Sequence, residues 1–348
     1  MSSGTRLGTT FDTWVASGDF THADLARYRV VYAVFALVTL PALAPLAELP
    51  SSFVNPPLGP FRVLSSFPPS WLLWTIEVGL AVGLGALLVG WRVRTAAVLV
   101  CVLYLLGYGL LFSVGKTDHR ILFLVLPLVL AFTGWGDARD ETTRPRQWPM
   151  RFLALVVGVQ FATSAAMKAL SGWLDPATHA SQGHFIRQYV ANDRQEWLAT
   201  PFTGVHYGFF WEAVDWATVL LEGAVILAVL NWRVFRIVLA NLTLFHLGIL
   251  LMMNIPFSPN LVVYGAFVSW GALSVWPALP PGARATVARH RAAAAVVAGL
   301  GALLLRWLFP WVAEGVEPPV VLLGAAVGAW YLARQVATLL PALRRAPA

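Results

Sequence analysis

The chain has 348 residues, of which 58% are hydrophobic and 12% are charged. Soluble domains are typically about a quarter charged and less than half apolar, so the composition excludes a soluble fold with one anchor and predicts an all-α, polytopic integral membrane protein. The net charge of +7 would point to nucleic acid in a soluble protein. In a membrane protein it predicts arginine on cytoplasmic loops, and we expect no nucleic-acid partner.

Apolar runs along the chain predict a bundle of about ten transmembrane helices, with eight or nine as the alternative, because a crossing helix needs about 20 mainly apolar residues. The chain then divides into a polar or amphipathic cytoplasmic segment, a membrane domain, and an additional C-terminal transmembrane hairpin with a short basic tail. These three parts cover 1–26, 27–280 and 281–348, and the predicted spans cover 28–47, 71–90, 95–114, 120–136, 151–170, 212–230, 234–253, 260–277, 292–312 and 319–340. The first segment either lies on the lipid headgroups or forms a disordered tail.

Arginine placement predicts the orientation of the chain. One side of the membrane holds 17 of the 24 Lys and Arg residues. This side includes the N-terminal tail, every second connection after it and the C-terminal end. Because basic residues collect on the cytoplasmic side, we expect both termini in the cytoplasm and the protein in the plasma (inner) membrane. The other connections then face outward, and the longest of them, 171–211, predicts an interfacial helix between the fifth and sixth spans.

Two lysines differ from the other basic residues. Lys116 and Lys168 are the only lysines among the 24 basic residues, and the rest are arginine. Arginine keeps its proton in proteins, whereas a desolvated lysine can lose its proton and act as a base. Both lysines fall on the predicted outer side, where Lys168 either serves in a site or is a snorkelling side chain at a helix end.

Several ionisable residues lie inside the predicted spans, where they are costly and usually face the bundle interior or a cavity. Glu77 and Glu222 either belong to a site or are satisfied by a neighbouring helix, and for Arg306 we expect an ion pair or snorkelling. His246 lies about twelve residues into its span, roughly 18 Å along the helix axis, which places it in the outer half of the bilayer.

Metal and nucleotide motifs give no signal. His179 and His184 lack a third partner at a usual ligand spacing, so no metal site is predicted. The single Cys101 lies in an apolar run, which excludes a disulfide framework and a thiol metal site.

Three ordered pieces of the sequence resemble one family. They read GKTDH at 115–119 with LAFTGWG at 130–136, then MKALSGW at 167–173 with TPF at 200–202, then FH at 245–246 with MN at 253–254. In this order and spacing they are similar to the HTTM domain, the membrane part of vitamin K-dependent gamma-carboxylases and of their bacterial relatives. The resemblance covers roughly residues 20–280.

The resemblance implies a lyase-type enzyme of the bacterial inner membrane that uses vitamin K hydroquinone or a related menaquinol on a peptide or protein substrate. Lys168 matches the family's proposed base and His119 the histidine implicated in the chemistry, so both are predicted to be catalytic. From the resemblance or from their place in the spans and loops, the residues predicted to bind substrate or cofactor are His246, Asn254, Lys116, Asp118, Glu77 and Trp173.

Two other functions stay open at the level of the sequence. One is a non-enzymatic membrane protein that binds a lipid, a quinone or a partner peptide without turnover. The other is a transporter in which Glu77, Glu222 and His246 form a relay. A cavity shared by Lys168 and His246 would favour the enzyme.

Overall fold

A computed structural model describes residues 3–56, 59–115, 120–136, 144–273 and 280–344 of the chain. Within these ranges the structure is all-helical and has no strand, as the composition predicted. The α-helices are α1 Ser3–Ala16, α2 His22–Val38, α3 Ser70–Val89, α4 Val93–Leu111, α5 Arg120–Ala131, α6 Trp148–Leu170, α7 Ala180–Ile186, α8 Ala199–Phe202, α9 Gly208–Ala228, α10 Trp232–Met253, α11 Ser258–Tyr264, α12 Pro281–Arg289, α13 Arg291–Leu308, α14 Trp311–Gly315 and α15 Glu317–Arg344.

Six helical stretches of the described chain are long and apolar enough to cross a membrane. They are α3, α4, α6, α10, α13 and the stretch Trp311–Thr338, which joins α14 to α15. Their length and composition are consistent with an integral membrane protein. The predicted count of about ten spans is not confirmed.

Four of the predicted spans fall short for different reasons. With 17 residues in α2 and 12 in the described part of α5, both helices have fewer than the roughly 20 residues of a typical crossing helix. The 21 residues of α9 are enough, but this helix carries Glu212, Asp215 and Glu222. The described part of the run predicted to span over 260–277 folds as α11 and two 3-10 turns, not as one continuous helix.

The chain forms two compact units. The first comprises Met1–Met150 and Val262–Val316, and the second comprises Arg151–Leu261 and Glu317–Ala348. Helices α6 to α10 and α15 belong to the second unit, which therefore contains Lys168, Glu222, His246 and Asn254. The sequence-based division after residues 26 and 280 stays a prediction.

In the first unit α3 packs against α2, α4 and α13. Glycines bring α3 and α13 close together. A Cβ added to Gly85 would lie 2.1 Å from the carbonyl oxygen of Ala295, and one added to Gly299 would lie 2.4 Å from that of Ala81. Small residues allow membrane helices to approach this closely and so to gain van der Waals contact.

In the second unit α9 and α10 form an antiparallel hairpin, since only residues 229–231 separate them. The side chain of Asn231 accepts hydrogen bonds from the first free N–H groups of α10, as an N-cap residue does. Arg151 of α6 donates to the carbonyl oxygen of Val229 at 2.6 Å and lies 3.9 Å from the ring centroid of Trp232. Arg151 therefore ties α6 to the turn of the hairpin.

The connection of residues 171–207 lies against the C-terminal end of α10. The N–H of Leu198 donates to the carbonyl oxygen of Leu251 at 2.9 Å, and Arg194 donates to that of Asn254 at 3.1 Å. Where the sequence predicted one interfacial helix, the structure has α7, a π-helical turn at Arg187–Ala191, and then α8. The first turn of α9 is at this end too, because α9 runs antiparallel to α10.

Candidate functional site

Lys168 lies in the last turn of α6 and is bonded directly to Glu222 of α9. Its ammonium nitrogen is 2.5 Å from both carboxylate oxygens of Glu222 and 3.1 Å from the hydroxyl oxygen of Ser164. The Lys168 side chain is 23% exposed and the Glu222 side chain 7%. An ion pair of this kind is the arrangement expected for charged residues on neighbouring membrane helices.

Glu222 belongs to the buried face of α9. Trp211, Asp215, Thr218 and Glu222 are all buried and follow one another at intervals of three or four residues, so they lie along one side of the helix. The sequence analysis weighed Glu222 as a buried carboxylate in need of a partner, and the structure identifies that partner as Lys168. A partner on another helix, 54 residues away, leaves no local signal.

Asp215 is a buried carboxylate that the sequence analysis did not single out. One of its oxygens accepts hydrogen bonds from the N–H of Ser181 at 2.8 Å and from the Ser181 hydroxyl at 2.5 Å. The other oxygen has no hydrogen-bond partner among the described residues. The spacing of seven residues between Asp215 and Glu222 was the available signal, because it places both on one helical face.

Trp173 reaches Lys168 because the chain reverses after α6. Gly172 has φ of +89°, and the N–H of Trp173 donates to the carbonyl oxygen of Lys168 at 3.2 Å. This is the Schellman arrangement that ends many helices, with glycine at the left-handed position. It brings the Trp173 ring centroid to 5.3 Å from the Lys168 nitrogen, within the range of a cation–π contact.

His246 and Asn254 both lie on or next to α10, but in different surroundings. The buried His246 ring stacks on Phe257, with 4.7 Å between centroids and 19° between planes. Asn254 ends α10 in the left-handed conformation, with φ of 48°. Its side-chain amide donates to Glu196 at 2.7 Å, and its carbonyl accepts from Arg194. Asn254 therefore holds the 171–207 connection on α10.

The structure does not join His246 to Lys168 directly. Lys168 contacts Glu222, Ser164 and Trp173, whereas the ring of His246 faces Phe257 and Phe161. The other predicted site residues of the loop before α5, namely Lys116, Asp118 and His119, lie outside the described residues.

Glu77 lies in the first unit and forms a second buried ion pair. Arg306 of α13 donates to one of its oxygens at 3.1 Å, and the other oxygen accepts from the N–H groups of Leu43 and Ala44. Arg306 also donates to the carbonyl oxygens of Leu40 and Pro41. The pair therefore satisfies backbone groups that are left free where α2 has ended, as a membrane-buried chain requires.

Aromatic side chains of the 171–207 connection and of α9 enclose a groove of about 270 Å³ in the second unit. The lining is mostly apolar and includes Phe185, Tyr189, Phe202 and Trp211, with Gln182 and His206 among the polar residues. The lining of the groove is therefore suited to an apolar group.

The described residues contain no group of three or more His, Cys, Asp or Glu side chains placed to hold a metal ion. Within the ion pair of Lys168 and Glu222, a proton can move between the nitrogen and the carboxylate. No protein-family model, curated protein or solved structure matches this chain.

Proposed function

We propose that the chain is a quinol-linked membrane enzyme that resembles the vitamin K-dependent gamma-carboxylases, in which Lys168 takes a proton from a lipid-soluble hydroquinone. The observation that carries the proposal is the pair of Lys168 and Glu222, whose charged groups meet at 2.5 Å between α6 and α9. Ionisable groups inside membrane helices are costly and mark functional sites more often than other residues do.

Glu222 gives Lys168 a way to act as a base. An ammonium group has no electron pair with which to accept a proton. When the proton passes from the Lys168 nitrogen to a Glu222 oxygen, both groups become neutral, which surroundings of low polarity favour. The lysine nitrogen then accepts the proton of the substrate, and Glu222 holds the first proton close by.

The exposure of the two side chains supports Lys168 as the group that meets the substrate. The Lys168 side chain is accessible at 23% exposure, whereas the Glu222 side chain is buried at 7%. The Trp173 ring stabilises the ammonium group that forms when the lysine nitrogen takes a proton. A bound hydroquinone would supply the acidic hydroxyl whose proton Lys168 takes, and a peptide or protein is the proposed second substrate.

We place the site toward the outer face of the plasma (inner) membrane. The support is the arginine distribution, with 17 of 24 basic residues on the side opposite to the 171–207 connection. A lipid-soluble substrate would reach Lys168 from within the bilayer.

The enzyme is tested with protein purified in detergent. Mass spectrometry identifies any co-purifying quinone, and oxidation of added menaquinol by dissolved oxygen is followed after reconstitution. We expect Lys168→Ala and Lys168→Arg to lower the rate by at least about 100-fold, as removal of a general base does, while the exposed neighbour Ser171→Ala keeps the wild-type rate. Arginine keeps the charge but cannot release its proton, so an active Lys168→Arg variant would refute the base role.

A transporter is the second candidate, and the buried face of α9 favours it. Asp215, Thr218 and Glu222 form a polar row along that face, and rows of this type carry protons in pumps. Proteoliposomes with an internal pH dye distinguish the two functions. Proton uptake that is lost in both Asp215→Asn and Glu222→Gln, with no quinol oxidation, would establish transport.

A further inference from the structure

We propose that the aromatic groove of the second unit binds one anionic phospholipid, with an acyl chain in the groove and the phosphate on Arg187. The groove is lined by residues of 182–190, 202–206 and α9, among them Phe185, Val190 and Trp211. It does not include Lys168 or Glu222, so the proposal is independent of the enzymatic function proposed above.

The walls of the groove form a fixed apolar surface. Phe185 and Trp211 are 3% and 1% exposed, and their rings stack with 5.6 Å between centroids. The indole N–H of Trp211 donates to the carbonyl oxygen of Val205 at 2.9 Å, which fixes the ring. Tyr189 and Phe202 pack on the same cluster. A preformed apolar wall binds a hydrocarbon chain without loss of side-chain freedom in the protein.

The groove lies at the end of a helix that is able to cross a membrane. Met252 and Met253, the last residues of α10, pack on the cluster of Phe185 and Trp211, and α10 is one of the six membrane-crossing candidates. The end of such a helix is at the level where lipid headgroups meet acyl chains. A lipid at this level has its phosphate and the top of its chains beside the groove.

The mouth of the groove favours hydrocarbon over water. Ile186 and Val190, both part of the lining, are 51% and 71% exposed. Phe209, in the same turn of α9 as Trp211, is 77% exposed. Exposed apolar residues next to an apolar groove mark a surface that lipid or a partner covers.

Arg187 decides between lipid classes. It follows Ile186 directly and is exposed, and its side chain makes no hydrogen bond or ion pair with the residues that the structure describes. Guanidinium groups bind phosphate in a two-pronged manner, and a basic residue near a membrane surface favours anionic lipid. Charge complementarity thus favours an anionic over a neutral phospholipid.

The test uses phosphatidylglycerol with a photoactivatable acyl chain, in nanodiscs that otherwise contain phosphatidylcholine, and maps the labelled residues by mass spectrometry. We expect label within residues 182–211. Val190→Trp narrows the mouth of the groove and should remove most of this label. Leu198→Trp is the control, because this residue of the same connection is 45% exposed and does not line the groove.

Arg187 is tested by competition between anionic and neutral probes. Arg187→Gln should lower the preference for phosphatidylglycerol over phosphatidylcholine about five-fold, the effect of one basic residue at a membrane surface, whereas Arg187→Lys should retain most of it. Equal labelling by both lipids in the wild type, or equal labelling in Val190→Trp and Leu198→Trp, would overturn the proposal. Displacement of the label by added menaquinone, with loss of menaquinone binding in Val190→Trp, would assign the groove to the quinone and overturn the phospholipid.

Discussion

Lys168 and Glu222 show how strongly each charge in this fold depends on its partner. A buried ion pair contributes little net stability, because desolvation of the two charges offsets most of their attraction. Removing one partner is costly, since the other charge is then buried alone. The same holds for Glu77 and Arg306, whose side chains are 0% and 16% exposed. Each pair thus joins a buried carboxylate to a partly exposed basic group, but of the two basic groups only Lys168 carries a proton that it can release.

We therefore expect Glu222→Gln and Lys168→Met each to lower the free energy of unfolding by about 3 kcal/mol, the lower end of the range for a broken buried pair because Lys168 is partly exposed. The double variant Lys168→Met/Glu222→Gln should recover most of that loss, since no charge is left unpaired. Unfolding in mixed detergent micelles measures all four proteins. If the losses of the single variants simply add in the double variant, the pair is not coupled.

The end of α6 is the element that shapes the candidate site. A helix that ended without Gly172 would not return Trp173 over its last turn, because the left-handed conformation at φ of +89° is unfavourable for residues with a Cβ. The cap therefore links a local sequence feature to the surroundings of Lys168. It is a feature that sequence analysis can find, since glycine two residues after the last helical residue is a common stop signal.

Gly172→Ala should lower the free energy of unfolding by about 1 kcal/mol, the cost of a left-handed alanine. It should also make Lys168 more reactive toward amine-modifying reagents, because Trp173 moves away from the ammonium group. Gly183→Ala is the matched control: it lies in α7, and a Cβ there meets nothing within 4 Å. The interpretation fails if Gly183→Ala changes lysine reactivity as much as Gly172→Ala does.

The close contact between α3 and α13 predicts how two glycine variants of α13 differ in stability. Gly299→Ala places a Cβ against the backbone of Ala81, so the helices must separate, and overpacking of this kind costs about 1–3 kcal/mol. Gly301 lies two residues further along the same helix and points to another side, where an added Cβ meets nothing within 4 Å. Gly301→Ala should therefore be neutral or slightly stabilising. Thermal unfolding of both variants checks the difference, and equal melting temperatures would contradict the close packing.

At the scale of the whole molecule, the sequence predicted the helical class, the apolar helices and the position of Lys168 at the end of an apolar helix. It did not predict which charges pair, because the partners of Lys168 and Glu77 are 54 and 229 residues away and the rotation of each helix decides which face meets which. The count of about ten spans is not confirmed. Apolar length alone does not identify a crossing helix, because the described part of the run at 260–277 folds into α11 and 3-10 turns, and α9 carries three carboxylates.

Sidedness is the property of the whole chain on which the proposed site depends, and two alanines test it. In a background where Cys101, the single cysteine, is replaced by alanine, we introduce Ala191→Cys in the 171–207 connection and Ala288→Cys in α12. Both residues are exposed, so the two thiols are equally accessible once the membrane is opened. Basic residues flank Ala288 at Arg289 and Arg291, whereas the chain around Ala191 belongs to the arginine-poor side.

Translocation of basic loops is unfavourable, so a membrane-impermeant maleimide added to intact cells should label Ala191→Cys at once and Ala288→Cys only after permeabilisation. The reverse pattern would place the 171–207 connection, and with it Lys168 at the end of α6, on the cytoplasmic face. Labelling of both thiols in intact cells would mean that an odd number of crossings is missing between them. The reverse pattern would require a different route by which substrate reaches Lys168, because that residue would no longer be exposed on the outer side.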